Sequence, residues 1–346
     1  MVFDGHNDLL ARLWLSSHPD PVGAFLNQTL DGHIDLRRCQ QGRMLGGLFA
    51  IFVPPFDYVK ANAPHKLMQC LPDQTDYIAM QRYDICMAQF EYARQIEQRS
   101  QGQVKICRSM ADINACMQNK SLVMVLHLEG AEALTELSQL DAWYDLGLRS
   151  VGLVWNQPSQ FGHGLQAKFP HSPNTGLGLT ALGEAWVLAC ENRSMLVDVS
   201  HMNEHAFWQT QQLLTQPMVA THSNVHRLCP QARNLLDTQL SAIKASGGVV
   251  GVNFDTAFLR SDGKRNKDTP YQVMFAHFDY LLEHLGEHGV AFGSDYDGGF
   301  MSSYWPSVDY FPYLIDALCD YGYSDARIEN ICYQNWHAVL NKIWKS

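Results

Sequence analysis

The chain has 346 residues, 46% of them hydrophobic and only 17% charged, so it can bury a large core, and global disorder is excluded. Its 25 basic and 35 acidic residues leave a net charge of −10, and without basic runs that balance argues against nucleic acid or an anionic membrane as partner. Nine cysteines are spread singly with no CxxC pair, which suits reduced thiols and excludes a disulfide framework or a zinc ribbon.

The first residues, MVFDGHNDLL, show neither a basic n-region nor an apolar h-region, and no apolar run reaches 18 residues. The expectation is a cytoplasmic protein that does not span a membrane. From there on, short aliphatic or β-branched runs recur at 2–4, 47–53, 122–128, 150–154, 195–199, 217–221, 248–253 and 289–293. Most are almost continuously apolar, the pattern of strands buried on both faces of a parallel sheet. Between them, 76–98, 179–192, 204–214, 236–245 and 271–285 have helical period. Strands alternating with helices predict βαβ units, and eight such units in one undivided chain predict a closed (β/α)8 barrel, the TIM barrel, over residues 1–346 as a single catalytic domain. The intervals 54–76 and 161–178 carry Pro, Gly and Asn and read as long loops over the active face.

In such a barrel the chemistry gathers at the C-terminal ends of the strands. The residues found there are His6-Asn7-Asp8, Pro54, Glu129, Trp155-Asn156, His201, His222, Asp255 and Asp295. His6 and Asp8 are two apart, so in extended backbone they share a face and offer one nitrogen and one oxygen to a zinc-type ion; the alternative is a pair capping the following helix. Glu129 closes an apolar run, and a buried carboxylate needs a compensating charge, from one cation, two bridged cations or an arginine. His201 and His222 end successive short runs, and with the other three residues they read as metal ligands. Asp295 stands before the turn signal Asp-Gly-Gly and reads either as turn chemistry or as a general base and acid beside a metal-activated water. His163, in FGHGL, lies in a loop that could meet substrate.

These motifs resemble a known family. DGHND at 4–8, HIDLRR at 33–38, LHLEGAEAL at 126–134, GLTALGEAWVLACENRSMLVDVSHMN at 178–203, ATHSNVHRLCPQARNL at 220–235 and FGSDYDGG at 292–299 together are similar to the renal (membrane) dipeptidases, metallopeptidase family M19. The resemblance implies an amidohydrolase-type barrel with two Zn2+ per chain, and a zinc-activated hydroxide that cleaves small dipeptides, including those with a D-residue at the C-terminal position. His6 and Asp8 then correspond to ligands of one zinc, His201 and His222 to ligands of the other, and Glu129 to the carboxylate bridging them. Asp295 corresponds to the catalytic acid and base, and Arg233 to the clamp on the substrate's terminal carboxylate. A homodimer is implied by the family alone.

Two positions depart from the family pattern. Where many members carry a histidine after the fourth strand, this chain has Trp155, whose indole donates one hydrogen bond and carries no charge. Support for the tetrahedral intermediate then falls to Asn156 or His163. Where the family often has tyrosine after VNF, this chain has Asp255, a negative charge that predicts a cationic substrate group such as a free amino terminus. Two alternatives follow: an N-acyl-amino-acid or other amide hydrolase on the same centre, and a metal-bound binding protein with weak catalysis.

Overall fold

The computed structural model describes residues 1–344 apart from 28–30, 72, 73 and 75; parts of the expected 54–76 loop and the last two residues of the expected 1–346 unit thus lie outside the described residues. Nine strands are described: β1 (Val2–Asn7), β2 (Met44–Phe52), β3 (Val104–Ile106), β4 (Leu122–Glu129), β5 (Leu148–Gly152), β6 (Leu196–Val197), β7 (Val219–Ala220), β8 (Val249–Val252) and β9 (Val290–Phe292). Every pairing among them is parallel, in the orders β1-β2-β4-β5-β6 and β7-β8-β9. Parallel bridges from Asp198 to Val219 and from Asn7 to Tyr296 join the two runs at both seams. The fold is a (β/α)8 barrel.

All eight expected runs form barrel strands, with ends displaced by a few residues. The ninth strand, β3, was not anticipated, because three residues alternating buried, exposed and buried carry little apolar signal. It pairs with Leu122–Met124 of β4, while β5 takes the same edge from Leu126 onward. The helix expected at 76–98 is divided at Gln81 into Tyr77–Met80 and Arg82–Arg99. Helices Ala181–Asn192, Glu204–Leu213, Asp237–Ala245 and Tyr271–Leu285 stand where periodicity placed them. Among the described residues no helix is long and apolar enough to cross a membrane.

Burial explains how the strands aim the functional groups. β4 is buried at every position. Met124, Leu126 and Leu128 join the larger core with jacket residues such as Trp143, Trp186 and Phe278. Val123 and Val125 instead join Phe3, Leu48, Val249 and the C-terminal helix Asn335–Ile343, which plugs the barrel through Trp336 and Leu340. Continuing that alternation, His127 and Glu129 face the barrel interior. Glycines let the strands of the other half draw together. A methyl group on Gly251 would overlap the Thr221 carbonyl and lie 3.1 Å from the Gly293 Cα. Gly251→Ala is therefore expected to destabilise the fold by about 1–3 kcal/mol through overpacking, read from the midpoint of denaturant unfolding.

Candidate active site

Five of the predicted ligands converge at the strand ends. His6 Nε2 is 3.4 Å from Asp8 Oδ2 and 3.6 Å from Glu129 Oε2. On the other side of the same carboxylate, Glu129 Oε1 is 2.9 Å from His201 Nε2 and 3.4 Å from His222 Nε2. The His6 and His222 rings stack with centroids 3.8 Å apart. Asp8 occupies the cap position of helix Leu9–Leu15, yet its side chain makes no capping bond. Its carboxylate is turned to the cluster instead, which removes the capping alternative.

The imidazoles are oriented from behind. Thr221 donates from Oγ1 to Asp198 Oδ2 at 2.7 Å, which leaves the Thr221 hydroxyl oxygen to accept from His222 Nδ1, also at 2.7 Å. Asp198 is held in turn by the backbone N–H groups of Ser200 and Thr221. His201 gives its Nδ1 hydrogen to Asn156 Oδ1 at 3.1 Å. Both rings therefore present unprotonated Nε2 atoms, 3.1 Å apart, toward Glu129, and that of His201 also accepts from Arg233 Nη2. Burial, aided by the positive charge of Arg233 and His6, holds both histidines far below their usual pKa, so they are neutral.

Lone pairs that face one another in a dry site repel unless something positive lies between them. Both ring nitrogens of His6 and Oδ1 of Asp8 are also buried without a hydrogen-bond partner. Two subsets of the cluster, His6–Glu129–His222 and His6–Asp8–Asp295, each bring their ligand atoms within 4.8 Å of one another. Neutral imidazole nitrogen with carboxylate oxygen is the donor set of a zinc-type cation, so these residues fit a metal. If the Thr221 bond fixes the tautomer and angle of His222, Thr221→Val is expected to weaken zinc binding by about 10–100-fold, measured by competition with a chelator.

Asp295 adjoins the cluster. It sits at φ +61, a left-handed backbone that only a close turn supports, with Gly298 and Gly299 donating to its carbonyl. Its Oδ2 accepts from Asn253 Nδ2 at 2.9 Å. Burial, and next the charge of Asp8, push its pKa up to about 7. A methyl on Gly298 would collide with the Asp8 carboxylate and lie 2.6 Å from Asp295 Oδ1, so the bare backbone here makes room for both acids.

The cluster forms one end of a cavity of about 430 Å3. Phe52, Pro54, Pro55, Tyr58 and Trp155 line it from the end of β2 and the loops after β2 and β5, and Arg233, Asp255, Phe258 and Arg265 from the segments after β7 and β8. Both long loops reach it as expected, the second through Ala167. Trp155 packs on Phe52 with ring centroids 4.9 Å apart and serves as wall. Arg233 is buried, and its Nη hydrogens meet the Ser200 and His222 carbonyls, Ser223 Oγ and His201 Nε2. Its Nε is buried with no partner. A cation that takes the His201 lone pair would release one Nη2 hydrogen, leaving Nε and Nη2, which point the same way, for a carboxylate.

One expectation is extended and two are corrected. Asn156 lines the cavity as expected and in addition positions a ligand, its carbonyl oxygen accepting from His201 Nδ1. His163 is not among the residues lining the cavity; its backbone N–H donates to the Gly178 carbonyl and its ring lies against Gly176. Asp255 does reach the cavity, but Oδ1 caps helix Thr256–Leu259 through the Ala257 N–H and Oδ2 lies 3.5 Å from Arg265 Nη2. Its charge is thus met by the protein and is not left for a substrate cation. Sequence reasoning also missed His127, buried behind His6 with Nδ1 on Ser150 Oγ at 2.8 Å and Nε2 3.7 Å from Asp198. The inward alternation of β4, two positions before Glu129, was the signal that could have found it.

Fold and site together define a metal-dependent hydrolase built on a (β/α)8 barrel. The profile of the membrane dipeptidases, peptidase family M19, matches residues 1–345, and the chain belongs to that family of metallo-dipeptidases. It is 36% identical to a metallopeptidase from Rhodobacter sphaeroides solved with a phosphinate mimic of the dipeptide L-Ala-D-Ala, with a TM-score of 0.91 over 99% of both chains. It is equally 36% identical to dipeptidase AC, a metallopeptidase of family M19, with a TM-score of 0.90 over 100% of this chain and 99% of that one. An uncharacterized protein in the PQQ-III 3' region of Acinetobacter calcoaceticus is 55% identical over 82% of this chain and 90% of its own length.

Proposed function

We propose that this chain hydrolyses free dipeptides, L-D as well as L-L, with two zinc ions bridged by Glu129. The observation that carries the reading is the placement of a buried guanidinium, Arg233, with an unused Nε beside a two-sided ligand cluster in one small cavity. Glu129 supports the bridge because Oε2 faces His6 while Oε1 faces His201 and His222. The Rhodobacter relative, which holds a dipeptide mimic with a D-alanine end, supports the substrate class.

The chain's own residues divide the work. Arg233 binds the terminal carboxylate and so fixes which peptide bond meets the cluster, a positioning effect that also excludes long peptides. Zinc held by His6, Asp8, Glu129, His201 and His222 would supply Lewis acidity and activate a water. Asp295, with a pKa near neutrality, accepts a proton at one carboxylate oxygen while Asn253 holds the other, and returns it to the leaving amine. Trp155, Phe52 and Tyr58 give the cavity an apolar lining that excludes water.

The test is to offer zinc-loaded protein Ala-Ala, Ala-D-Ala and N-acetyl-D-alanine. Release of alanine from the free dipeptides is expected. Cleavage confined to the acetylated compound would replace this reading by the acylase, and tight binding of a phosphinate dipeptide without any turnover would replace it by the binding protein.

A further inference from the structure

The same cavity carries a cation that neither the metal cluster nor the carboxylate clamp uses. Arg265 lines it, and its side chain is 63% exposed, so its remaining hydrogens are open to a ligand. It stands on an irregular loop held before it by the Lys264 N–H donating to Asp262 Oδ1 at 3.1 Å and after it by two further residues. Asn266 donates from its backbone to Thr256 Oγ1 at 3.1 Å, and the Lys267 carbonyl accepts from the Ser303 N–H at 2.7 Å and from Ser302 Oγ at 2.9 Å. Asp255, buried and fixed as a helix cap, holds the guanidinium from one side at 3.5 Å.

The other charges lining the cavity are already assigned. Asp8, Glu129 and Asp295 belong to the cation cluster. Asp297 Oδ1 accepts from the His33 N–H, and Arg12 Nε donates to the Asp31 carbonyl. Among the described residues, Arg265 therefore has no acidic partner in the cavity besides Asp255. Like Arg233, whose guanidinium is 6.0 Å from the Phe258 ring, it reaches the cavity from the segments that follow β7 and β8, whereas Phe52 and Trp155 come from β2 and the loop after β5. A dipeptide whose terminal carboxylate meets Arg233 would carry the side chain of its C-terminal residue, attached one carbon away, within the cavity that Arg265 also lines.

Resting on the dipeptidase reading, we infer that Arg265, oriented by Asp255, selects dipeptides whose C-terminal residue has an acidic side chain. Asp255 thus has the opposite consequence to the one its charge suggests in isolation: it recruits an anionic substrate through the arginine it holds. A planar guanidinium pairs with a carboxylate in two parallel hydrogen bonds, which a neutral amide of the same shape cannot match.

The experiment compares kcat/KM of the zinc-loaded full chain on Ala-Glu and on its isostere Ala-Gln, and on the D-Glu and D-Gln counterparts, for the parent and for Arg265→Gln. Because Arg265 is solvent-facing, the expected preference for the acid is about tenfold and weakens as salt is raised. In Arg265→Gln the acid-to-amide ratio is expected to fall to about one; a merely structural loss would lower both substrates together and leave the ratio unchanged. A parent ratio near one in both series, or a ratio that survives the substitution, overturns the inference while leaving the dipeptidase reading standing. Failure to cleave any of these peptides overturns both.

Discussion

Asp295→Asn is expected to lower kcat by about 10²–10⁴-fold while zinc content is unchanged. The amide keeps the shape of the side chain and can still meet Asn253 after a flip, but it cannot take a proton. The expectation rests on Asp295 lying beside the cluster with its pKa raised to about 7 by burial and by Asp8, which suits a group that gains and loses a proton near neutrality. Zinc content measured alongside kcat separates two roles, because Asp295 also comes within ligand distance of His6 and Asp8. Unchanged zinc with lost turnover identifies a proton carrier; loss of zinc would make Asp295 a ligand; full activity would remove it from the chemistry.

The second large effect belongs to Glu129→Gln. An amide offers one neutral oxygen where the carboxylate faces His6 on one side and His201 and His222 on the other. Zinc affinity is expected to fall by more than about 100-fold, beyond the loss typical of outer-shell changes, and turnover with it. The same substitution should stabilise the metal-free protein. Burial holds the Glu129 carboxyl well above its usual pKa, although the charges of His6 and Arg233 pull it down, so near neutral pH the metal-free fold carries a group whose ionised form is disfavoured there but favoured in the unfolded chain. Stability from such a raised carboxyl declines as pH rises above the unfolded pKa, and glutamine removes that dependence. Melting of metal-free parent and variant at several pH values checks it: the variant should melt higher at pH 7, and the difference should shrink toward pH 4.

Most of the barrel was legible because strands buried on both faces leave continuous apolar runs, and their ends then name the positions where function gathers. His6, Asp8, Glu129, His201, His222 and Asp295 come together in the structure for that reason. What could not be read were pairings set by tertiary geometry. The Asp198–Thr221–His222 relay joins a residue beside β6 to one beside β7, and nothing in VDVSH or ATHS says which hydroxyl faces which ring. Asn156 was legible as a polar residue after β5 but not as the partner of His201. Asp255 was misjudged because its partner, Arg265, lies ten positions on in a loop without periodicity. β3 escaped for lack of length, and His127 because it sits inside an apolar run one turn of the pleat behind the site.

The Trp155 departure becomes intelligible in the same terms. It contributes to an aromatic wall with Phe52, and the orienting hydrogen bond to His201 comes from Asn156 next to it. The cluster retains its ligands, and what changes is the surface offered to the rest of the substrate.

The most direct test titrates the metal-free protein with zinc while following release of the C-terminal amino acid from an L-L and L-D dipeptide panel. Turnover is predicted to be absent without metal, to rise with added zinc and to level off at about two equivalents per chain, the number proposed from the two faces of Glu129. Dipeptide turnover that is independent of metal, or a zinc-saturated protein that cleaves no peptide of the panel, would contradict the account.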